Sequence, residues 1–363
     1  MLKELAVVVQ AGIPAIFEGM PGIGKTHTVY QLGRLLDLPV EVVILSIRDP
    51  TDLLGMPYRT DSGVAMDPPD WAIRLSEAGK GIVFFDELST APFRMQVAAL
   101  RIIQEGYVGS LKLPEKVARV AAANPSEVAG ASFRLTPPMA NRLVHIDVQT
   151  PTATTWTRRF VEGFPDEQAE IPILPENWQE KLPEAKGLVA SFLTARPELL
   201  FRYPESEEER SKAWPSPRTW DMAATLMAAC RAGNLNGDLL ASLLTGAVGL
   251  GAATEFLTWL DNLDLPDPEE VLQSPETFTF PERDDHVYAI LFSVASCALN
   301  KGNRYWHPAW QVIARAVEQG KADLAAVVAR TLVLRKPKGV EIPADIKALA
   351  PIIQEAGLLP KEA

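Results

Sequence analysis

Apolar positions along the chain change their spacing once. Up to about residue 150, short continuous apolar runs alternate with stretches of helical period; beyond it the runs stop and only the helical period remains. Residues 15–17, 40–45, 81–87, 118–123 and 143–148 read as strands. The continuous apolar run at 42–45 suits a parallel strand buried on both faces. Between them, residues 1–12 read as a short helix, and Val29, Leu32 and Leu36 recur at helical spacing. Val97, Leu100 and Ile103 mark another helix, with Thr90 as its N-cap, Pro92 in its first turn and Glu105-Gly106 at its end. Residues 107–117 fit a hairpin around Leu113-Pro114-Glu115. Residues 49–71 are broken by Pro50, Gly55, Pro57, Gly63, Pro68 and Pro69, and read as a long insertion.

Strands alternating with helices predict an α/β fold, a mostly parallel sheet with helices on both faces. The later helical period places helices near 184–195, 218–231, 237–260, 284–300, 308–319, 322–334 and 344–356. An acidic, polar loop is expected at 204–212. A Pro- and Asp-rich boundary falls at 263–281. The expected division is a nucleotide-binding domain over 1–150, an all-helical lid over 151–262 and a helical extension over 263–363.

Composition narrows the picture. The 363 residues are 47% hydrophobic and 22% charged, as in ordinary globular proteins. A net charge of -11 argues against non-specific nucleic-acid binding. The two cysteines, Cys230 and Cys297, lie in apolar helical patterns and read as buried free thiols in a reducing compartment. No Cys or His cluster with zinc spacing occurs. The first residues do not read as a signal peptide, and the longest apolar helical pattern, 287–299, is too short for a bilayer. A cytoplasmic protein without membrane contact is the expectation.

The candidate chemistry sits at strand ends. Residues 19–26, Gly-Met-Pro-Gly-Ile-Gly-Lys-Thr, follow a strand and open a helix, as a phosphate-binding loop must. Backbone amides there converge where negative charge is favoured. Lys25 would reach the β- and γ-phosphates and Thr26 would hold Mg²⁺. Gly19, Pro21, Gly22, Ile23, Gly24, Lys25, Thr26 and His27, with Asp86, are the candidate nucleotide contacts; Thr26 and Asp86 are the candidate metal ligands. His27 fits a surface helix histidine or a pH-sensing group. Four apolar residues, 82–85, end in Asp86-Glu87. Asp86 suits the metal-orienting acid and Glu87 the base that polarises the attacking water. Asn124, at the end of the next strand, can bond the γ-phosphate or that water. In a parallel sheet these residues share the carboxyl-end rim, where ligands bind.

These motifs resemble the MoxR branch of the AAA+ ATPases. The matches are the Walker A loop 19–26, the Walker B strand 82–87, a sensor-1 Asn124 within Ala123-Asn124-Pro125, the run 138–142, and Ser216-Pro217-Arg218. Residues 50–55 resemble the start of that branch's helix-2 insert, and 107–117 its pre-sensor hairpin. The resemblance implies ATP and Mg²⁺ as cofactors and a homo-hexameric ring with sites between subunits. It implies Arg142 as the arginine finger, with Arg134 as runner-up, and Arg218 as the lid's sensor-2 arginine contacting the γ-phosphate in cis. It implies remodelling of a partner, often a von Willebrand factor A domain protein. Other readings are a nucleotide-dependent binding switch with little hydrolysis, a chelatase-like subunit, and a nucleic-acid motor.

Overall fold

A computed structural model describes residues 1–61, 63–125, 134–163, 170–235, 237–337, 340 and 343. They fall into two compact units, Met1–Pro175 with Phe201–Thr254, and Glu176–Leu200 with Glu255–Ala363.

The first unit opens with α1 (Leu2–Gln10), β1 (Ala15–Glu18), α2 (Lys25–Leu35) and β2 (Val40–Ile44). The insertion follows as α3 (Pro50–Leu54) and an antiparallel hairpin, β3 (Met56–Thr60) and β4 (Gly63–Asp67). After α4 (Asp70–Ala78) come β5 (Lys80–Asp86) and α5 (Phe93–Glu105). A second small hairpin, β6 (Tyr107–Val108) and β7 (Leu111–Lys112), leads to β8 (Lys116–Ala123) and later β9 (Val144–Asp147). Five strands form one parallel sheet in the order β2-β5-β8-β1-β9. Five consecutive residues of β5, 81–85, are buried, as expected for a strand covered on both faces. One face of the sheet packs a core that includes Phe85, Leu53, Trp71, Met95 and Ile102. The strand order sets the chemistry: β8 lies between β1 and β5, so three loops leave side by side on the carboxyl rim.

Local details depart from the sequence reading in several places. The α5 N-cap is Pro92, with no capping side chain; the Thr90 hydroxyl instead donates to the Glu87 carbonyl at 3.0 Å. The hairpin turns at Gly109-Ser110, and residues 113–115 only link it to β8. The helix expected over 237–260 is two, Asp238–Val248 and Leu250–Asp261, separated at Gly249 with φ +83°. The helix expected from 308 begins at Asn303 and carries Pro308 inside it. The expected helix at 344–356 lies outside the described residues.

Helix Asp238–Val248 packs on β9. A Cβ on Gly246 would stand 2.1 Å from the His145 carbonyl oxygen, closer than any real contact. Gly246→Ala must therefore push helix and strand apart, at about 1–3 kcal/mol, against about 1 kcal/mol gained in helix propensity. Thermal unfolding should show a lower Tm; a higher Tm would show that this contact yields freely.

The second unit is helical. Helices Leu182–Ala195, Asp284–Lys301, Asn303–Glu318 and Ala322–Leu334 enclose Leu291, Trp306, Trp310, Val312 and Val328. The aromatic and aliphatic stripe from Trp306 to Ile313 is thus core. Cys230 and Cys297, one in each unit, are free and buried; burial pushes the Cys230 thiol up to about 12, a value that suits an inert structural group. Among the described residues no helix is long and apolar enough to cross a membrane.

Candidate active site

The loop after β1 is built by glycine conformation. Gly22 and Gly24 have φ of +79° and +96°, where other residues are strained. A Cβ at either would meet nothing within 4 Å, so the requirement lies in the backbone, not in space. No side chain caps α2, which leaves its first-turn amides available to an anion. Lys25 is buried at the head of this helix. Its ammonium donates to Gly19 O at 2.5 Å, Ala123 O at 3.1 Å and Asn124 Oδ1 at 2.8 Å. These oxygens stand in for phosphate oxygens, the natural acceptors of a lysine set in a glycine loop. Burial lowers the Lys25 pKa, and Asp86 and Glu87 offset this only in part.

Neighbouring strand ends supply the acids. Thr26 Oγ1 donates to Asp86 Oδ2 at 3.1 Å. A hydroxyl paired with a carboxylate is the donor set Mg²⁺ takes beside substrate phosphates, because hard oxygens and few protein ligands suit that ion. These residues fit the metal. Asp86 Oδ1 also accepts the Glu87 amide at 2.9 Å.

Glu87 sits at φ +59°, an uncommon conformation for a residue with a side chain. Three donors hold its carbonyl there, the amides of Thr90 and Ala91 and the Thr90 hydroxyl. The turn aims the Glu87 carboxylate towards the end of β2, where it accepts a hydrogen bond from Ser46 Oγ. Ser46 is a site residue that sequence reading missed; a serine after a strand end carries no signal of its own. On the other side, Asn124 is fixed by Ser89, whose hydroxyl accepts its amide at 3.1 Å.

The structure thus brings together the phosphate loop, Asp86, Glu87 and Asn124 on one rim. His27 lies exposed on the first turn of α2. A cavity of about 460 Å³ opens beside the loop, lined by Gly19, Asn124, Arg134, Val148 and Lys212. Arg134 therefore stands at its own chain's site.

Arg142 does not. It precedes β9 by two residues, and β9 begins level with Ala15, the first residue of β1. The phosphate loop leaves from the other end of β1. Arg142 is held at the amino end of the sheet by Pro138 O at 2.6 Å and by Gln104. Burial and then the nearby Arg218 guanidinium lower its pKa, with Glu105 acting in the opposite sense. Arg218 comes to this place because its helix, Pro217–Ala232, starts from a buried anchor. Ser216 Oγ donates to Asn141 Oδ1 at 2.9 Å, and Asn141 Nδ2 donates to Trp214 O at 3.2 Å. Among the described residues Arg218 has no ion-pair partner.

Residues 14–144 match the model of the family described as ATPase family associated with various cellular activities (AAA). No curated protein matches the chain. Among solved structures, the chain is similar to a provisionally assigned ATPase of Cytophaga hutchinsonii, with TM-score 0.43 and 16% identity over 68% of this chain and 80% of that one. It is also similar to a full-length MCM homolog from Methanopyrus kandleri, with TM-score 0.41 and 20% identity over 68% of this chain and 55% of that one. With the family match spanning the loop, the two acids and Asn124, and with the parallel five-stranded sheet around them, residues 14–144 form an AAA+ ATPase domain.

Proposed function

We propose that the chain is an ATP-hydrolysing AAA+ ATPase of the MoxR type that works as a ring and remodels a partner protein. One observation carries the assembly reading: Lys25, Asp86, Glu87 and Asn124 share one rim, whereas Arg142 and Arg218 stand together at the amino end of the sheet. Two clustered cations with little internal neutralisation suit an anion brought by another molecule. In this reading both arginines serve the neighbouring subunit's triphosphate. Arg218 then works with Arg142 in trans, in place of the cis contact its sequence motif implied.

In the proposed mechanism, Lys25 and the loop amides hold the β- and γ-phosphates. Thr26 and Asp86 hold Mg²⁺, which supplies charge neutralisation at the phosphate oxygens. Asn124 orients the γ-phosphate or the attacking water. Glu87, once released from Ser46, takes a proton from that water as its oxygen bonds to the γ-phosphorus and the bond to ADP breaks. Helices of the 151–262 region act as the lid, and the 263–363 region is an extension. The partner, a von Willebrand factor A domain protein in the leading version, rests on the resemblance of the sequence motifs alone.

The Ser46–Glu87 bond favours one second reading, a nucleotide-dependent switch held in a non-hydrolysing state. Turnover measured against protein concentration separates the two. A ring enzyme shows specific activity that rises with concentration, because each site needs a neighbour. Activity absent at every concentration would leave the switch.

A further inference from the structure

The last residue of β1, Glu18, leads directly into the phosphate loop but does not face it. Its carboxylate crosses to β9 and meets His145 Nδ1 at 2.7 Å. The other ring nitrogen, Nε2, lies 3.0 Å from the Ala140 carbonyl. Both partners are acceptors. With Glu18 ionised, as its lowered pKa favours, a ring protonated on both nitrogens satisfies them, and the buried pair is an imidazolium and a carboxylate. The His145 side chain is 6% exposed and that of Glu18 is 20% exposed, and leaving either charge without its partner would be costly.

What the ring joins is the point. On one side is the root of the loop, where Gly19 O receives the Lys25 ammonium. On the other is helix Pro137–Ala140, followed at once by Asn141, the anchor of the Arg218 helix, and by Arg142. We propose that His145 is a positioning residue, which ties the segment carrying Arg142 to the phosphate loop of the same chain. A loop that shifts as nucleotide comes and goes then shifts the finger offered to the neighbouring site. This inference rests on the ring-ATPase reading and adds to it a route by which one site informs the next.

Charge around the pair is local. Burial opposes the imidazolium, but the Glu18 charge, its hydrogen bond, the Ala140 carbonyl and Asp147 outweigh it and raise the His145 pKa. Burial likewise opposes the Glu18 carboxylate, and His145 with Lys212 outweighs it and lowers that pKa. Helix Asp238–Val248 meets β9 here through Gly246, close against His145 O and Val144. The pair therefore holds its charge between the two shifted values. Its contribution is lost as pH rises through the raised histidine value, and again as pH falls through the lowered carboxylate value.

The test uses the full chain. Glu18→Gln keeps the size of the side chain and removes the charge that holds the imidazolium. Turnover should fall on the order of tenfold or more, with the Hill coefficient for ATP dropping towards 1, as for a misplaced but intact catalytic group. In a Glu87→Gln background, the Kd for ATP should change less than about twofold, because the loop contacts remain. The unaltered chain should lose turnover as pH rises through the His145 titration, and Glu18→Gln should lack that limb. Wild-type turnover and cooperativity in Glu18→Gln would overturn the inference alone. So would ATP affinity falling in step with Tm, which marks a merely structural pair. His145→Gln should repeat the Glu18→Gln result where it folds; where it does not, the pH limb of the unaltered chain decides. No turnover by the unaltered chain at any concentration would overturn the ATPase reading, and this inference with it.

Discussion

Replacing Glu87 with Gln is expected to stop ATP turnover and leave ATP bound. The argument starts from the backbone. Glu87 is held at φ +59° by three donors on its carbonyl and by Asp86 Oδ1 on its amide. None of these contacts involves the side chain, so the amide variant keeps the turn. A strained conformation of this kind costs about 1–3 kcal/mol and persists where function requires it. Here it directs the carboxylate onto Ser46 Oγ. A glutamine preserves shape and can still accept from Ser46, but it cannot take a proton from water. Loss of a general base lowers the rate by about 10²–10⁴. Lys25, Thr26 and the loop amides are untouched, so affinity for ATP should hold. Phosphate release measured at steady state, with the bound nucleotide identified after rapid separation, reads both halves. Turnover at the level of the unaltered chain would remove Glu87 from the chemistry, and loss of ATP binding would show that the side chain holds the site together instead.

The residues behind this prediction differ in how plainly the sequence displays them. Lys25 is legible because the phosphate-loop spacing that ends on it follows one apolar run, and Asp86 because it closes another; a buried parallel strand must finish at the rim where ligands bind. Ser46 is not, because its role arises only from the left-handed turn at Glu87, which no local pattern announces. The insert was legible as an interruption but not as strands: β3 and β4 are mostly exposed, and Pro57 falls within β3, so neither shows the alternation that marks a half-buried strand. The split at Gly249 escaped because apolar spacing continues in phase across it. The pairing of helix Leu182–Ala195 with Asp284–Lys301, about a hundred residues later, is a packing choice that local periodicity does not encode. The place of Arg142 was legible only as a motif. Its position at the amino end follows from the register of β9 on β1, which becomes visible once the strand order is known. The same register is what makes the final expectation decisive.

Arg142→Ala should abolish turnover in a homogeneous ring and be rescued by a subunit that cannot bind ATP at all. A finger supplied by a neighbour typically accounts for about 10³–10⁵ in rate. Lysine should not substitute, because a point charge lacks the planar fork that spans two phosphate oxygens. Alone, this loss would not distinguish a finger from an arginine that steadies the fold through Gln104 and the Pro138 carbonyl. Mixing does. Arg142→Ala subunits keep an intact Lys25 site and lack the finger. Lys25→Ala subunits lack the site and keep the finger. Each is inactive by itself. In a head-to-tail ring of both, about a quarter of the interfaces join an intact site to an intact finger when the two are equal and random. Turnover should therefore appear on mixing, peak near equal amounts, and vanish on dilution below the assembly concentration. A donor in cis cannot produce that curve, since no subunit in the mixture holds both residues. Absence of recovery at every ratio, with mixed assembly confirmed by mass, would assign the finger to the chain's own site, where Arg134 already lines the cavity beside Asn124. Recovery would establish that the phosphate loop of one chain and Arg142 of the next are two halves of one catalytic site.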